Sequence, residues 1–501
     1  MKRRSGILMP IFSLPSKYGM GSFGEESYKF VDFLSESGQT LWQILPLVQT
    51  GYGNSPYSSI SSTSFNPYFI SVEKLKDEGL LTQAEVKFAL ADGNTVDYGN
   101  LYAVRYPLLR EAFKRFNKEE KDFCAFIKSK KAYDYALFMA IKYASGQKNF
   151  FEWEDGLKYR NKKALKEFAD SYEEEILFWQ FVQFKGESQW MELKKYANSK
   201  GVKIIGDMPL YVAADSVDVW VNPSLYKLDE DLRAKKVAGV PPDYFCEDGQ
   251  LWGNPVYDYA EHQKDNFKWW VNRLKSVLKV FDYVRIDHFR GLDRYFEIDA
   301  GSETAKEGVW IDVPSELLFN AIHKEVDKDR IIAEDLGIID DGVRELLKFT
   351  GYPGMKILSF AFNGEPDNLY LPERVNENSV CYTGTHDNDT LMGLIKNASE
   401  WDKRNLVNGV KNSLEVLGVD GATDGDEQLL DSIISLGFAC ASDTFIIPYA
   451  DILGRGSEYR INEPGVCSQK NWAVRFSDED FTDKVKQKLK ELTKKYNRIS
   501  E

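Results

Sequence analysis

The sequence predicts an α/β protein: a (β/α)8 barrel with inserted, mainly helical subdomains and no separate C-terminal β-domain. Three observations lead to this. Eight short apolar runs recur along the 501 residues, continuous rather than alternating, as in strands buried on both faces of a parallel sheet. Helical patterns fill most of the gaps between them. Charged residues close several of the runs at their C-terminal ends, where a barrel opens its site.

The first strand is Ile7–Phe12 in "GILMPIF", followed by a helix over Glu25–Ser37. The second is Thr40–Leu47. Residues 66–199 then read as a helical insertion, in which Thr82 and Glu85 form a T-x-x-E capping box and Tyr172–Ser199 a long helix. The third strand, Val202–Val212, leads into a loop-rich insertion, 213–263, read like the first as a subdomain set into a barrel loop. A helix at Asn266–Lys279 precedes the fourth strand, Tyr283–Phe289. Helices at Ser315–Val326, Asp341–Phe349 and Asp426–Ala441 separate the remaining strands: Arg330–Gly337, Met355–Phe362, Val380–Asp387 and Thr444–Tyr449. The lysine-rich tail "DKVKQKLKELTKKYNR" reads as a solvated terminal helix. Residues 1–501 are thus expected to form a single barrel domain.

Composition narrows the function. A net charge of −14 disfavours nucleic acid as the main partner. Five scattered cysteines, with no CxxC pair, speak against a disulfide framework or zinc site and for a reducing, cytoplasmic setting. Four histidines without an HExxH pair give no metal site, and no Walker or dinucleotide motif implies a cofactor. The N-terminus looks superficially like a signal peptide, but Pro10 and Pro15 interrupt its short apolar run. No run reaches the roughly 20 residues of a membrane helix. Aromatics make up 14%, enough for a large core and for platforms under sugar rings.

The strand ends carry the chemistry: Asp207 on the third, Arg285 and Asp287 on the fourth, Glu334 and Asp335 on the fifth, His386 and Asp387 on the seventh. Arg285 and Asp287 flank one apolar residue, so alternation points both to one face. Carboxylates with an arginine and a histidine, and no cysteine nucleophile or phosphate loop, suit glycoside chemistry. One carboxylate attacks or stabilises the anomeric carbon and a second, protonated, serves the leaving oxygen. An arginine beside the first lowers its pKa.

"GYGNSPYSS", "GDMPLYVAADSVDVW", "PPDYFCEDGQLWGNPVYD", "VRIDHFRGL", "AEDLG" and "TGTHDND" together resemble the 4-alpha-glucanotransferase family (amylomaltase, or disproportionating enzyme) over almost the whole chain. The resemblance implies a (β/α)8 barrel acting without a cofactor on malto-oligosaccharides, amylose or glycogen-derived glucans as donor and acceptor. It implies Asp287 as nucleophile, Glu334 as general acid and then base, and Asp387 as the group binding the donor's 2- and 3-hydroxyls. Arg285 orients Asp287, His386 bonds sugar hydroxyls, and Asp207 and His288 support the donor pocket. Tyr57, in "NSPY", floors the donor ring, and Ser55 beside it is expected to bind substrate. Trp252, Gly253 and Asn254 sit on the covering loop. Tyr52 matches a more distant glucan groove, and Cys246 has no role. Between Glu334 and Asp335, one is expected only to cap the next helix.

Two rival functions share these features. An alpha-amylase-type hydrolase would use the same carboxylates with water as acceptor. The long 213–263 insertion favours transfer, because a covered cleft excludes water. "DGATDGDE", Asp420–Glu427, is acidic but reads as an exposed turn rather than a calcium loop. A non-catalytic glucan-binding protein would not need three ionisable groups at strand ends.

Overall fold

The structure, a computed structural model, describes residues 3–51, 53–242, 247–337, 339–466 and 468–498. Twelve strands occur among them: β1 (Arg4–Leu8), β2 (Leu41–Gln43), β3 (Lys203–Met208), β4 (Lys236–Val240), β5 (Gln250–Pro255), β6 (Tyr283–Ile286), β7 (Arg294–Asp299), β8 (Gly308–Asp312), β9 (Ile331–Ala333), β10 (Gly354–Ile357), β11 (Ser379–Tyr382) and β12 (Thr444–Pro448). Eight form a parallel sheet in the order β10-β11-β12-β1-β2-β3-β6-β9. Its two edges meet where the Ala333 N–H donates to the Pro353 carbonyl at 3.0 Å. The eight predicted strands are therefore the barrel, in the predicted chain order. Ile7, Trp42, Ile204, Val284, Ala333, Met355, Tyr382 and Ile446, one from each strand, are all buried.

The barrel strands are shorter than the apolar runs. β1 stops at Leu8, and Ile11–Ser13 becomes a 3-10 turn behind Pro10. Proline has no N–H to continue a ladder, and Pro209 likewise follows the end of β3. After β6 the Asp287 N–H still reaches the Met208 carbonyl at 3.0 Å, and His288 then turns into the left-handed region at φ 50°. The apolar signal reports burial and the ladder reports pairing, and burial runs on past the last paired residue. Close packing also sets one glycine: a Cβ on Gly206 in β3 would lie 2.1 Å from the Phe281 ring.

The segment between β2 and β3 holds the long helices Tyr98–Arg115, Lys130–Ala144 and Glu173–Ser199. Thr82 and Glu85 form the expected capping box. The largest departure from the sequence reading is a second, four-stranded antiparallel sheet, β5-β4-β7-β8. Two of its strands lie in the stretch expected to be loop-rich, and the "QLWGNP" motif forms β5 rather than a loop. β7 and β8 were not expected at all.

The helix Asp483–Lys495 is not wholly solvated, since Leu489 and Thr493 on it are buried. Just beyond it the Arg498 guanidinium, fully buried, donates to the carbonyls of Arg4, Phe438, Cys440 and Ser442 at 2.7–3.0 Å. Arg3 Nη2 reaches Phe438 and Cys440 from the other side, at 2.8 and 2.5 Å. These two cations close the face opposite the strands' C-terminal ends. No helix among the described residues is long and apolar enough to cross a membrane.

Candidate active site

Arg285 is the centre of the site. Its side chain projects from β6 and is buried. Nη1 donates to Asp207 Oδ2 at 2.6 Å, while Nη2 lies 3.0 Å from Asp287 Oδ1 and 3.9 Å from Glu334 Oε2. The Tyr57 hydroxyl also donates to Asp207 Oδ2, at 2.7 Å. One guanidinium cannot balance three carboxylates away from bulk water, so an acid among them retains a proton.

Glu334 retains it. Burial, aided by the charge on Asp287, pushes its carboxyl up to about 8. Arg285 and the N–H groups of His288 and Leu336, donating at 2.6 and 2.8 Å, pull the other way and lose. Asp287 is raised less, to about 6: burial is the larger effect, and Arg285 opposes it. The arginine's pull has the expected direction, but it does not bring Asp287 below the ordinary carboxylate range. Glu334 thus holds its proton to higher pH than Asp287 does. Their ordering separates a group ionised near neutrality from one protonated there, the division that acid-assisted displacement needs.

Asp335 points elsewhere. Its Oδ1 accepts the Met355 N–H at 2.5 Å, at the head of β10. It therefore anchors a strand rather than a helix, and the next helix is capped by Asp340. Asp387 follows β11 with its side chain 40% exposed. Asn462 donates to its Oδ1 at 2.6 Å, His386 Nε2 lies 3.4 Å from its Oδ2, and Arg460 holds its carbonyl. Burial keeps His386 and His288 below the usual imidazole range, His288 at about 3, so both rings are neutral at pH 7.

Aromatic rings frame these groups. Tyr57 stacks on His386 at 5.1 Å and 9°, with Trp472 tilted against both. Trp252 meets His288 edge-on at 4.7 Å. His288 is held tightly, because a Cβ on Gly291 would fall 2.9 Å from its ring. The Asn254 amide donates to the Val212 carbonyl at 2.8 Å, tying β5 to the barrel. Gly253 turns with φ 74° between Trp252 and Asn254.

Ser55, Tyr57, Trp252, Asn254, Arg285, Asp287, His288, Glu334, His386 and Asp387 all line one cleft of about 2000 Å³. Asp207 stands behind Arg285, its side chain fully buried, and bonds that guanidinium and the Tyr57 hydroxyl. Tyr52 and Cys246 lie outside the described residues. Sequence reasoning missed Asn462, Arg460 and Trp472. A polar residue in the connection after the last strand was the available signal for Asn462, since a barrel's site is built from those loops. Nothing in the sequence marks Trp472.

A parallel barrel that gathers carboxylates around one buried arginine, in an aromatic cleft and with one acid protonated, defines a glycoside-processing enzyme. The model of the glycosyl hydrolase 77 family, described as 4-alpha-glucanotransferase, matches residues 9–481. A 4-alpha-glucanotransferase of Clostridium butyricum is 42% identical over 98% of this chain and 100% of its own, and one of Thermus thermophilus is 39% identical over 100% of both. Amylomaltase from Streptococcus agalactiae, solved in complex with acarbose, superposes with a TM-score of 0.94 at 40% identity, covering 100% of both chains. The chain belongs to the 4-alpha-glucanotransferase family.

Proposed function

We propose that this chain moves a segment of a 1,4-alpha-glucan to the 4-hydroxyl of an acceptor glucose or glucan, with retention, through a glucosyl ester on Asp287. Asp287 attacks the anomeric carbon while Glu334 gives its proton to the departing glycosidic oxygen. Glu334, now ionised, takes the proton of the acceptor hydroxyl, which attacks the same carbon and frees Asp287. Asp387 and His386 hold the donor sugar's hydroxyls, Tyr57 lies beneath its ring, and Ser55 binds substrate in the same cleft. Malto-oligosaccharides, amylose and glycogen-derived glucans supply donor and acceptor.

One observation carries this reading: Asp287 and Glu334 approach the same nitrogen of Arg285, at 3.0 and 3.9 Å. Retention calls for carboxyls roughly 5–5.5 Å apart, without room for a water between them. Incubation with maltotriose, following free glucose and total reducing ends, tests it. Glucose and longer oligosaccharides at constant reducing ends are expected. Rising reducing ends would make the chain a hydrolase, and no change in either would make it a binding protein.

The electrostatics predict a bell-shaped pH profile. Activity needs Asp287 ionised, so kcat/KM rises through about pH 6. It also needs Glu334 protonated, so kcat/KM falls through about pH 8. A profile flat across this range would contradict the assignment. Trp252→Ala, which removes a cleft wall beside His288, is expected to shift products towards hydrolysis by about threefold or more, the order of one lost ring contact. The ratio of free reducing ends to transfer product measures this.

A further inference from the structure

The cleft is larger than the groups around Arg285 require. Its volume, about 2000 Å³, exceeds the roughly 300–1,000 Å³ of an ordinary small-ligand pocket. The excess includes an arm continuous with the catalytic groups. One wall is the start of the helix Glu400–Leu417 and the turn before it, with Asn397, Trp401 and Asp402. The other is the segment after β10, with Phe360, Leu369 and Tyr370. Trp401 is 59% exposed and Leu369 60%. Large apolar side chains left in water on the walls of one groove mark a ligand contact.

Both walls are fixed in place. The Ser399 hydroxyl accepts the Asp402 N–H at 3.2 Å and donates to Asp402 Oδ2 at 2.6 Å, capping the helix. Tyr370 meets Phe360 edge-on at 5.7 Å. A Cβ on Gly409 would fall 2.9 Å from the Phe362 ring, so helix and segment are in close contact. On the catalytic side, Asn397 Nδ2 donates to Ser457 Oγ at 3.0 Å, and Ser457 donates to Asp389 at 2.7 Å, two residues from Asp387. The arm is thus fastened to the loop that carries Asp387.

The ligand's chemistry follows from the lining. Arg285 is the sole lysine or arginine among the described lining residues, whereas Glu365, Asp367 and Asp402 all border the arm. An anionic ligand would be repelled. A neutral chain with apolar ring faces and hydroxyl edges fits: the C–H face of a pyranose lies on an indole, and Asn397 and Asp402 meet its hydroxyls.

We propose that Trp401 is the platform for a glucose residue of a long donor, beyond the sugar held by Asp387. This rests on the functional reading above and adds donor-length selection to it. The test is Trp401→Ala, assayed for transfer to excess labelled glucose from maltotriose and from maltoheptaose. The kcat/KM for maltoheptaose is expected to fall about tenfold, the effect of one apolar ring face. Maltotriose should change less than about twofold, the scatter of a surface substitution, and Trp401→Phe should preserve the preference for the longer donor. Equal losses on both donors, or none on either, would overturn the proposal. Failure of the unsubstituted protein to transfer to glucose would instead overturn the functional reading. Calorimetric binding of maltoheptaose to both proteins would then still decide the platform, with equal affinities counting against it.

Discussion

Asp287→Asn is expected to lower kcat by a factor on the order of 10⁴–10⁶ while leaving the fold intact. Asparagine keeps the shape of the side chain and its contact with Arg285 but cannot form the glucosyl ester. It also removes a negative charge from a crowded, buried set, so the thermal midpoint should not fall. A second variant separates a chemical role from a structural one. In Asp287→Ala with azide present, a small anion can enter the vacated space, attack the anomeric carbon and release a glycosyl azide of inverted configuration. Recovery of that product identifies Asp287 as the nucleophile. Substantial turnover by Asp287→Asn without azide would remove it from that role.

Glu334→Gln is expected to cost about 10²–10⁴-fold on natural glucans, the range for a lost general acid. Donors with acidic leaving groups need little protonation, and their first step should be nearly unaffected. Two further consequences come from the raised carboxyl. The decline of kcat/KM through about pH 8 should disappear, because the group responsible no longer titrates. The fold should also become more stable at neutral pH. A carboxyl that is protonated in the folded state up to about pH 8, yet ionises near its ordinary value when unfolded, loses stabilising protonation as pH rises between those values. Glutamine stays neutral throughout. The difference in midpoint between variant and parent should therefore grow from pH 4 to pH 8. An equal loss of rate on both donor types would argue against an acid role.

Much of the barrel was legible in the sequence because a strand buried on both faces leaves an unbroken apolar run. The antiparallel sheet left no such trace. β8 reads "GVWID", with no residue of the strand fully buried, and β4 is a five-residue strand containing a glycine. β7 is buried along most of its length, but its run "RYFEID" is broken by a buried glutamate, and β5 and β8 are held more by pairing than by burial. Pairing is not written in composition. The same distinction governed the site. Arg285, Asp287, Glu334 and Asp387 stood out because each interrupts or ends an apolar run. Asn462 did not, although it bonds Asp387 across 75 residues of chain, because it lies in an irregular segment with neighbours of no marked pattern. The charge balance was legible only in sign. Residue spacing shows that Arg285 opposes the protonation of Asp287. Depth in the barrel decides that burial outweighs it, and depth is a property of the folded chain.

The seam between β1 and β12 also bears on how the chain is made. β1 pairs with β2 on one side and β12 on the other, and the contacts of Arg3 with the carbonyls below β12 span up to 437 residues. During synthesis the first strand emerges long before its second partner. Until then it presents an open, apolar edge that other nascent chains can join. Completion of the barrel therefore waits until β12 has been made, and its rate is set by bringing distant segments together rather than by local helix formation. Growth at high temperature or strong overexpression should send this protein to aggregates through that unpaired edge, and a chaperone that sequesters the emerging N-terminal region should relieve the loss.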